Sequence, residues 1–78
     1  MNLKTTDYYK NLSLYQRSIV DLIIDGCKVD CTEGKNYKVW VVLKTGIKKY
    51  IRKDSASIIF SSKSHQYFSF DNSGITLK

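Results

Sequence analysis

The sequence has no proline, one tryptophan, one histidine and two cysteines in 78 residues. That shortage removes most site chemistry at once. Cys27 and Cys31 are spaced C-x3-C, not the C-x2-C of zinc ribbons, and no second ligand pair follows. They alternate with Lys28, Asp30 and Thr32 as a short strand would. Residues four apart on a strand have Cα atoms about 13 Å apart, beyond disulfide reach. The pair reads as two inward-facing free thiols, and buried strand cysteines are inert even with His65 in the chain. Asp21 and Asp25 share a helix face, where solvated acids are far commoner than a catalytic pair. No P-loop, G-x-G-x-x-G or G-x-S-x-G is present, so neither catalysis, cofactor nor metal is expected. No apolar run approaches the ~20 residues of a membrane span, and no signal-peptide pattern opens the chain. Two cysteines without an export signal make a reducing cytoplasm the expected compartment.

What the chain does carry is positive charge, unevenly placed. The formal net charge is +6. Residues 1–33 hold four basic and five acidic side chains, whereas residues 34–78 hold nine and two. A localised basic half favours an anionic partner. Its densest part is Lys35 to Lys53, with seven basic residues, no acidic residue and the only tryptophan.

That stretch reads as a β-hairpin. Tyr37, Val39, Val41 and Leu43 alternate with Lys38, Trp40, Val42 and Lys44, and Ile47, Lys49 and Ile51 alternate with Lys48, Tyr50 and Arg52. A two-residue Thr45-Gly46 loop would set Val39 opposite Arg52 and put charge on the apolar face. A three-residue Lys44-Thr45-Gly46 loop, with Gly46 left-handed, pairs Leu43 with Ile47 and Val39 with Ile51 instead. Since a one-residue slip turns a strand over, burial selects the second register. It gives a core face of Tyr37, Val39, Val41, Leu43, Ile47 and Ile51. Lys49 falls on that side at the turn end, where its stem can snorkel outward. The other face holds Lys38, Trp40, Lys48, Tyr50 and Arg52, with Lys35, Lys44 and Lys53 on its margins.

Around the hairpin the pattern is simpler. Residues 1–11 show no clear period and read as a loosely structured arm. Ser13-Leu14-Tyr15-Gln16 has the form of a capping box, predicting a helix over 13–25 that stops at Gly26. Its apolar residues Tyr15, Ile19, Val20, Leu22, Ile23 and Ile24 sweep about 200°. Arg17 and Asp21 are spaced as an ion pair on its polar side. The arc is wider than one sheet contact needs, so a curved sheet or a second copy docked on Tyr15, Ile19, Val20 and Ile24 is expected to fill it. Asp54 to Ser57 fits a cap or turn, Ile58-Ile59-Phe60 a strand, and His65 to Phe70 another. Asp71 to Gly74 is a turn before a last strand over Ile75–Lys78.

The expected architecture is one α+β domain: an N-terminal helix packed on an antiparallel meander of five to six strands spanning 27–78, curled into a small barrel in one version. Helix followed by meander is similar to the element order of Sm-like RNA-binding barrels. Phe70-Asp71-Asn72 stands where that family carries a Tyr-Lys-His signature, and the hairpin loop is spaced differently, so the likeness is one of element order. A chain this short buries only about 60% of its unfolded surface.

Three functional readings remain. Cations flanking paired aromatics suit single-stranded nucleic acid, with bases stacked on rings and phosphates neutralised. The same Trp, Tyr and Arg suit docking on a larger protein, as for a small inhibitor or adaptor acting on a host protein or nucleoprotein complex. The proline-free, Lys-, Asn- and Ile-rich composition, suited to an AT-rich phage or mobile-element gene, is the association behind that second reading. The structural alternative is that Trp40 and Tyr50 merely pack across strands and the lysines protect an edge.

Overall fold

Ser13 opens the longest helix, and the rest of the chain is laid against it. The computed structural model describes residues 2–78. In order they form a 3-10 turn at Leu3–Thr5, helix α1 (Asp7–Lys10), helix α2 (Leu14–Ile24), and strands β1 (Lys28–Cys31), β2 (Val39–Val42) and β3 (Lys48–Ile51). Helix α3 (Lys53–Ile59), a 3-10 turn at Ser62–Gln66, and strands β4 (Phe68–Asp71) and β5 (Gly74–Leu77) follow. The five strands make one antiparallel sheet in the order β3-β2-β1-β5-β4. The fold is α+β. Because β3 and β4 are both edges, the sheet does not close into a barrel, and β5 returns to pair with the central β1 instead of continuing a meander.

The capping box forms as expected. Ser13 Oγ accepts from the Gln16 N–H at 3.2 Å, and Gln16 Oε1 accepts from the Ser13 N–H at 2.9 Å. The wide apolar arc of α2 is used within the chain. Ile19, Val20 and Ile23 are fully buried in a cluster with Val29, Val41, Ile51, Ala56, Ile59 and Phe68. Ile19 and Val20 are therefore unavailable to a second copy, which removes the expected self-association face. Tyr15 is occupied as well, lying under the Arg52 guanidinium at 4.5 Å.

Residues 2–11 are not a loose arm. Asn2 and Thr6 cap successive short helical turns, accepting from the backbone of Lys4 and Tyr9. Leu3 is buried, Tyr8 donates to the Ile59 carbonyl at 2.5 Å, and Tyr9 donates to Asp21 Oδ1 at 2.8 Å. Arg17 spends its guanidinium on the carbonyls of Tyr9 and Lys10, so the expected Arg17–Asp21 pair is not made.

Two further expectations fail. Residues 53–59 are helical where Ile58-Ile59-Phe60 reads as a strand: Ser55, Ala56 and Ile59 are buried while Ser57 and Ile58 are exposed, which is helical spacing. Of the two cysteines only Cys27 is buried; Cys31 ends β1 and is exposed. The C-terminal hairpin turns where expected, with Asp71 Oδ1 accepting from the backbone N–H and hydroxyl of Ser73. Gly74 is needed for two reasons. Its φ is 124°, and a Cβ there would meet the Val29 carbonyl oxygen at 2.6 Å.

The helices cover one side of the sheet. Val29, Val39, Val41, Ile51 and Phe68 point into the helical layer and are buried. Their alternates Lys28, Asp30, Trp40, Val42, Lys48 and Tyr50 are half-buried or exposed on the side that carries no helix among the described residues.

Candidate nucleic-acid interface

The β2–β3 hairpin takes the three-residue turn. Gly46, with φ 89°, donates to the Leu43 carbonyl at 2.8 Å, and Leu43 donates to the Ile47 carbonyl at 2.9 Å. The pairs are Val39 with Ile51, Trp40 with Tyr50, Val41 with Lys49 and Val42 with Lys48. Pairing of β1 with β2 extends the rows, placing Asp30 beside Trp40 and Lys28 beside Val42. Two rows thus cross the helix-free face: Asp30, Trp40, Tyr50 and Lys28, Val42, Lys48.

Within them, Trp40 and Tyr50 meet edge to face, ring centroids 5.8 Å apart at 62°. The Lys48 ammonium sits 4.8 Å from the Trp40 ring centroid, a diagonal cation–π contact. The indole is half-buried, and its Nε1–H is shut off from solvent without an acceptor among the described residues. Tyr50 is 59% exposed and so presents the accessible aromatic surface of the face.

The basic side chains do not all gather here. Lys38, Trp40, Lys48 and Tyr50 share the hairpin's outer face. Arg52 does not pair with Lys38: β3 ends at Ile51, the Arg52 N–H donates to the Tyr15 hydroxyl at 3.3 Å, and its guanidinium covers that ring. Lys53 opens α3 and holds its ammonium 5.0 Å from the Tyr37 ring. Lys44 pairs with Asp25 at 3.4 Å, across the turn. Lys35 is exposed in the loop between β1 and β2, and Lys49 is exposed on the edge strand.

Sequence reasoning missed the acidic border. Lys28 and Asp30 share the face and pair at 3.8 Å, beside Trp40. Their alternation with Val29 was the available signal. Farther along the sheet, hydrogen bonds from the Ser73 hydroxyl and N–H hold the Asp71 carboxyl below the usual range, with a small contribution from Lys28. The face is cationic at β2–β3 and mixed in charge toward β1 and the β4–β5 turn, where Lys28 lies among Asp30 and Asp71.

Among the described residues, no group of three or more His, Cys, Asp and Glu could hold a metal ion. No helix there is long and apolar enough to cross a membrane. Comparison with protein-family models, with curated proteins and with solved structures found no significant match to this chain.

Proposed function

We propose that this chain is a non-catalytic, cytoplasmic nucleic-acid-binding domain that takes single-stranded nucleic acid on the outer face of β2–β3. The exposed Tyr50 ring, braced edge-on by Trp40 and flanked by Lys38 and Lys48, is the observation that carries the reading. It offers a base a π-face that is already held in place, so little ordering is needed on binding. The surrounding cations neutralise phosphates, and base–aromatic stacking adds about 1–3 kcal/mol per base.

Titration of Trp40 fluorescence with a single-stranded oligonucleotide tests it. Quenching is expected, with log affinity falling against log salt at a slope of roughly −2 to −3.5 for three to five contacts. An indole indifferent to nucleic acid at low salt would sink the proposal.

A second reading, docking of a host protein or nucleoprotein complex on the same hairpin, draws on Ile47, which is 63% exposed at the turn. Ile47, which the strand pattern places on the core face, instead forms an exposed apolar tip at the turn, as an interface anchor would. Ile47→Ser separates the readings: it disables protein docking and leaves oligonucleotide affinity unchanged.

A further inference from the structure

Where the chain leading into β2 lies beyond the last β2–β3 pair, the corner of the sheet opens into a shallow groove of about 310 Å³ lined by Tyr37, Lys38, Val39, Tyr50, Ile51 and Lys53. The groove exists because Arg52 leaves the ladder. The next expected pair after Val39 and Ile51 would be Lys38 with Arg52, but Arg52 turns to Tyr15 and Lys53 starts α3. Lys38 remains fixed on its other side, its N–H donating to Thr32 Oγ1 at 2.8 Å and its carbonyl accepting from the Thr32 N–H at 2.9 Å. The corner is therefore held by β1 and left open toward the sheet edge.

Its chemistry is specific. Two phenol rings line it, Tyr37 from the core side and Tyr50 from the outer face. Val39 and Ile51, whose side chains are buried, form the floor between them, and Lys38 and Lys53 supply two cations. Among the described residues no acidic side chain lines it, although acids border the face elsewhere. Planar apolar surface beside paired ammonium groups is complementary to a flat heterocycle that carries a phosphate. Tyr50 belongs both to this groove and to the Trp40 contact, so the groove continues the proposed binding face around the edge.

We propose that this groove is a mononucleotide subsite that takes one base, stacked on Tyr50 with its edge toward Tyr37, with its phosphate held by Lys38 and Lys53. The assignment rests on the nucleic-acid reading above and adds Tyr37, which the hairpin pattern alone places in the core. It also gives Lys53 a role in ligand binding that its position in α3 would otherwise hide. Lys53 already lies over the Tyr37 ring, so its ammonium is positioned beside the bound base and within reach of the phosphate.

The test uses the whole chain and three small probes: adenosine monophosphate, adenosine and inorganic phosphate, followed by NMR chemical shifts. The monophosphate is expected to shift Tyr37, Tyr50 and Lys53 and to bind about tenfold more tightly than either fragment, as stacking and charge combine. Lys53→Gln should weaken it several-fold, and Tyr37→Phe, which keeps the ring and the fold, should leave it unchanged. Inorganic phosphate binding as tightly as the monophosphate would overturn the base subsite. So would a monophosphate that shifts nothing at Tyr37 and Lys53 while an oligonucleotide still quenches Trp40; that pair of results rejects the groove and keeps the wider proposal. Silence of Trp40 toward the oligonucleotide as well rejects both.

Discussion

Trp40 and Tyr50 face each other across β2 and β3 with ring centroids 5.8 Å apart, on the side of the sheet left uncovered by the helices. Their exposures differ, and the difference assigns their roles. Trp40 is half-buried beneath Lys48 and serves as the brace, whereas Tyr50 is the ring a ligand reaches.

Tyr50→Ala is accordingly expected to weaken single-strand binding about 5- to 100-fold, the loss of roughly one stacked base. Trp40→Ala should do the same by removing the brace. Lys44→Ala should cost less than about threefold, because that ammonium is paired with Asp25 and contributes mainly screened charge. Fluorescence anisotropy of a labelled oligonucleotide measures all three. Equal losses from Tyr50→Ala and Lys44→Ala would mean plain charge attraction without stacking.

The hairpin was legible in sequence because two independent constraints agree on its register. Gly46 supplies the left-handed turn residue, and only that turn sets Val39 and Val41 on one face with Ile51. Helix α2 was legible through Ser13 and Gln16. Helix α3 was not, because serine and isoleucine are indifferent helix formers and the helix exists through burial of Ser55, Ala56 and Ile59. Their spacing of one and three was the overlooked signal, masked by reading Ile58-Ile59-Phe60 as a unit. The open corner at Lys38 was hidden for a different reason. Periodicity predicts that Arg52 continues the ladder, and nothing local announces that Tyr15, 37 residues away, captures it.

The two hairpin glycines should respond differently to alanine. At Gly46 an added methyl would have no neighbour within 4 Å, so the cost is the backbone's alone, about 1–2 kcal/mol. At Gly74 the methyl would meet the Val29 carbonyl oxygen at 2.6 Å and crowd the Lys28 side chain as well. Gly74→Ala must push β5 away from β1 and should cost about 3–5 kcal/mol, close to the whole stability of a small domain. Urea unfolding of the two variants compares them directly. Equal midpoints would mean that β1 and β5 are not in contact as described.

Alkaline unfolding should report on Tyr8. Burial, then the neighbouring Tyr67, raises its phenol above the ordinary value of 10.0. A raised value means the folded state holds the proton more tightly than the unfolded chain does. The stabilisation is complete below pH 10 and is lost as pH climbs toward the folded value. Wild type should therefore lose stability above pH 10 faster than Tyr8→Phe, which has no phenol to ionise at that position. Parallel stability–pH curves for the two proteins would contradict the burial of Tyr8.

Arg52 gives the sharpest separation of structure from binding. On pattern alone it belongs to the cationic face, and its loss would weaken nucleic-acid affinity as much as loss of Lys48. In the fold its N–H donates to Tyr15, its guanidinium stacks on the same ring, and it ties the end of β3 to the first turn of α2. Arg52→Ala keeps the backbone donor and removes the cation–π contact. It is expected to lower stability by about 0.5–2 kcal/mol while changing oligonucleotide affinity less than about threefold. Lys48→Ala should show the reverse, with little loss of stability and a measurable drop in both affinity and salt dependence. Thermal melts and salt-resolved binding of both variants decide the matter, and a large affinity loss for Arg52→Ala with an unchanged melting temperature would return Arg52 to the binding face.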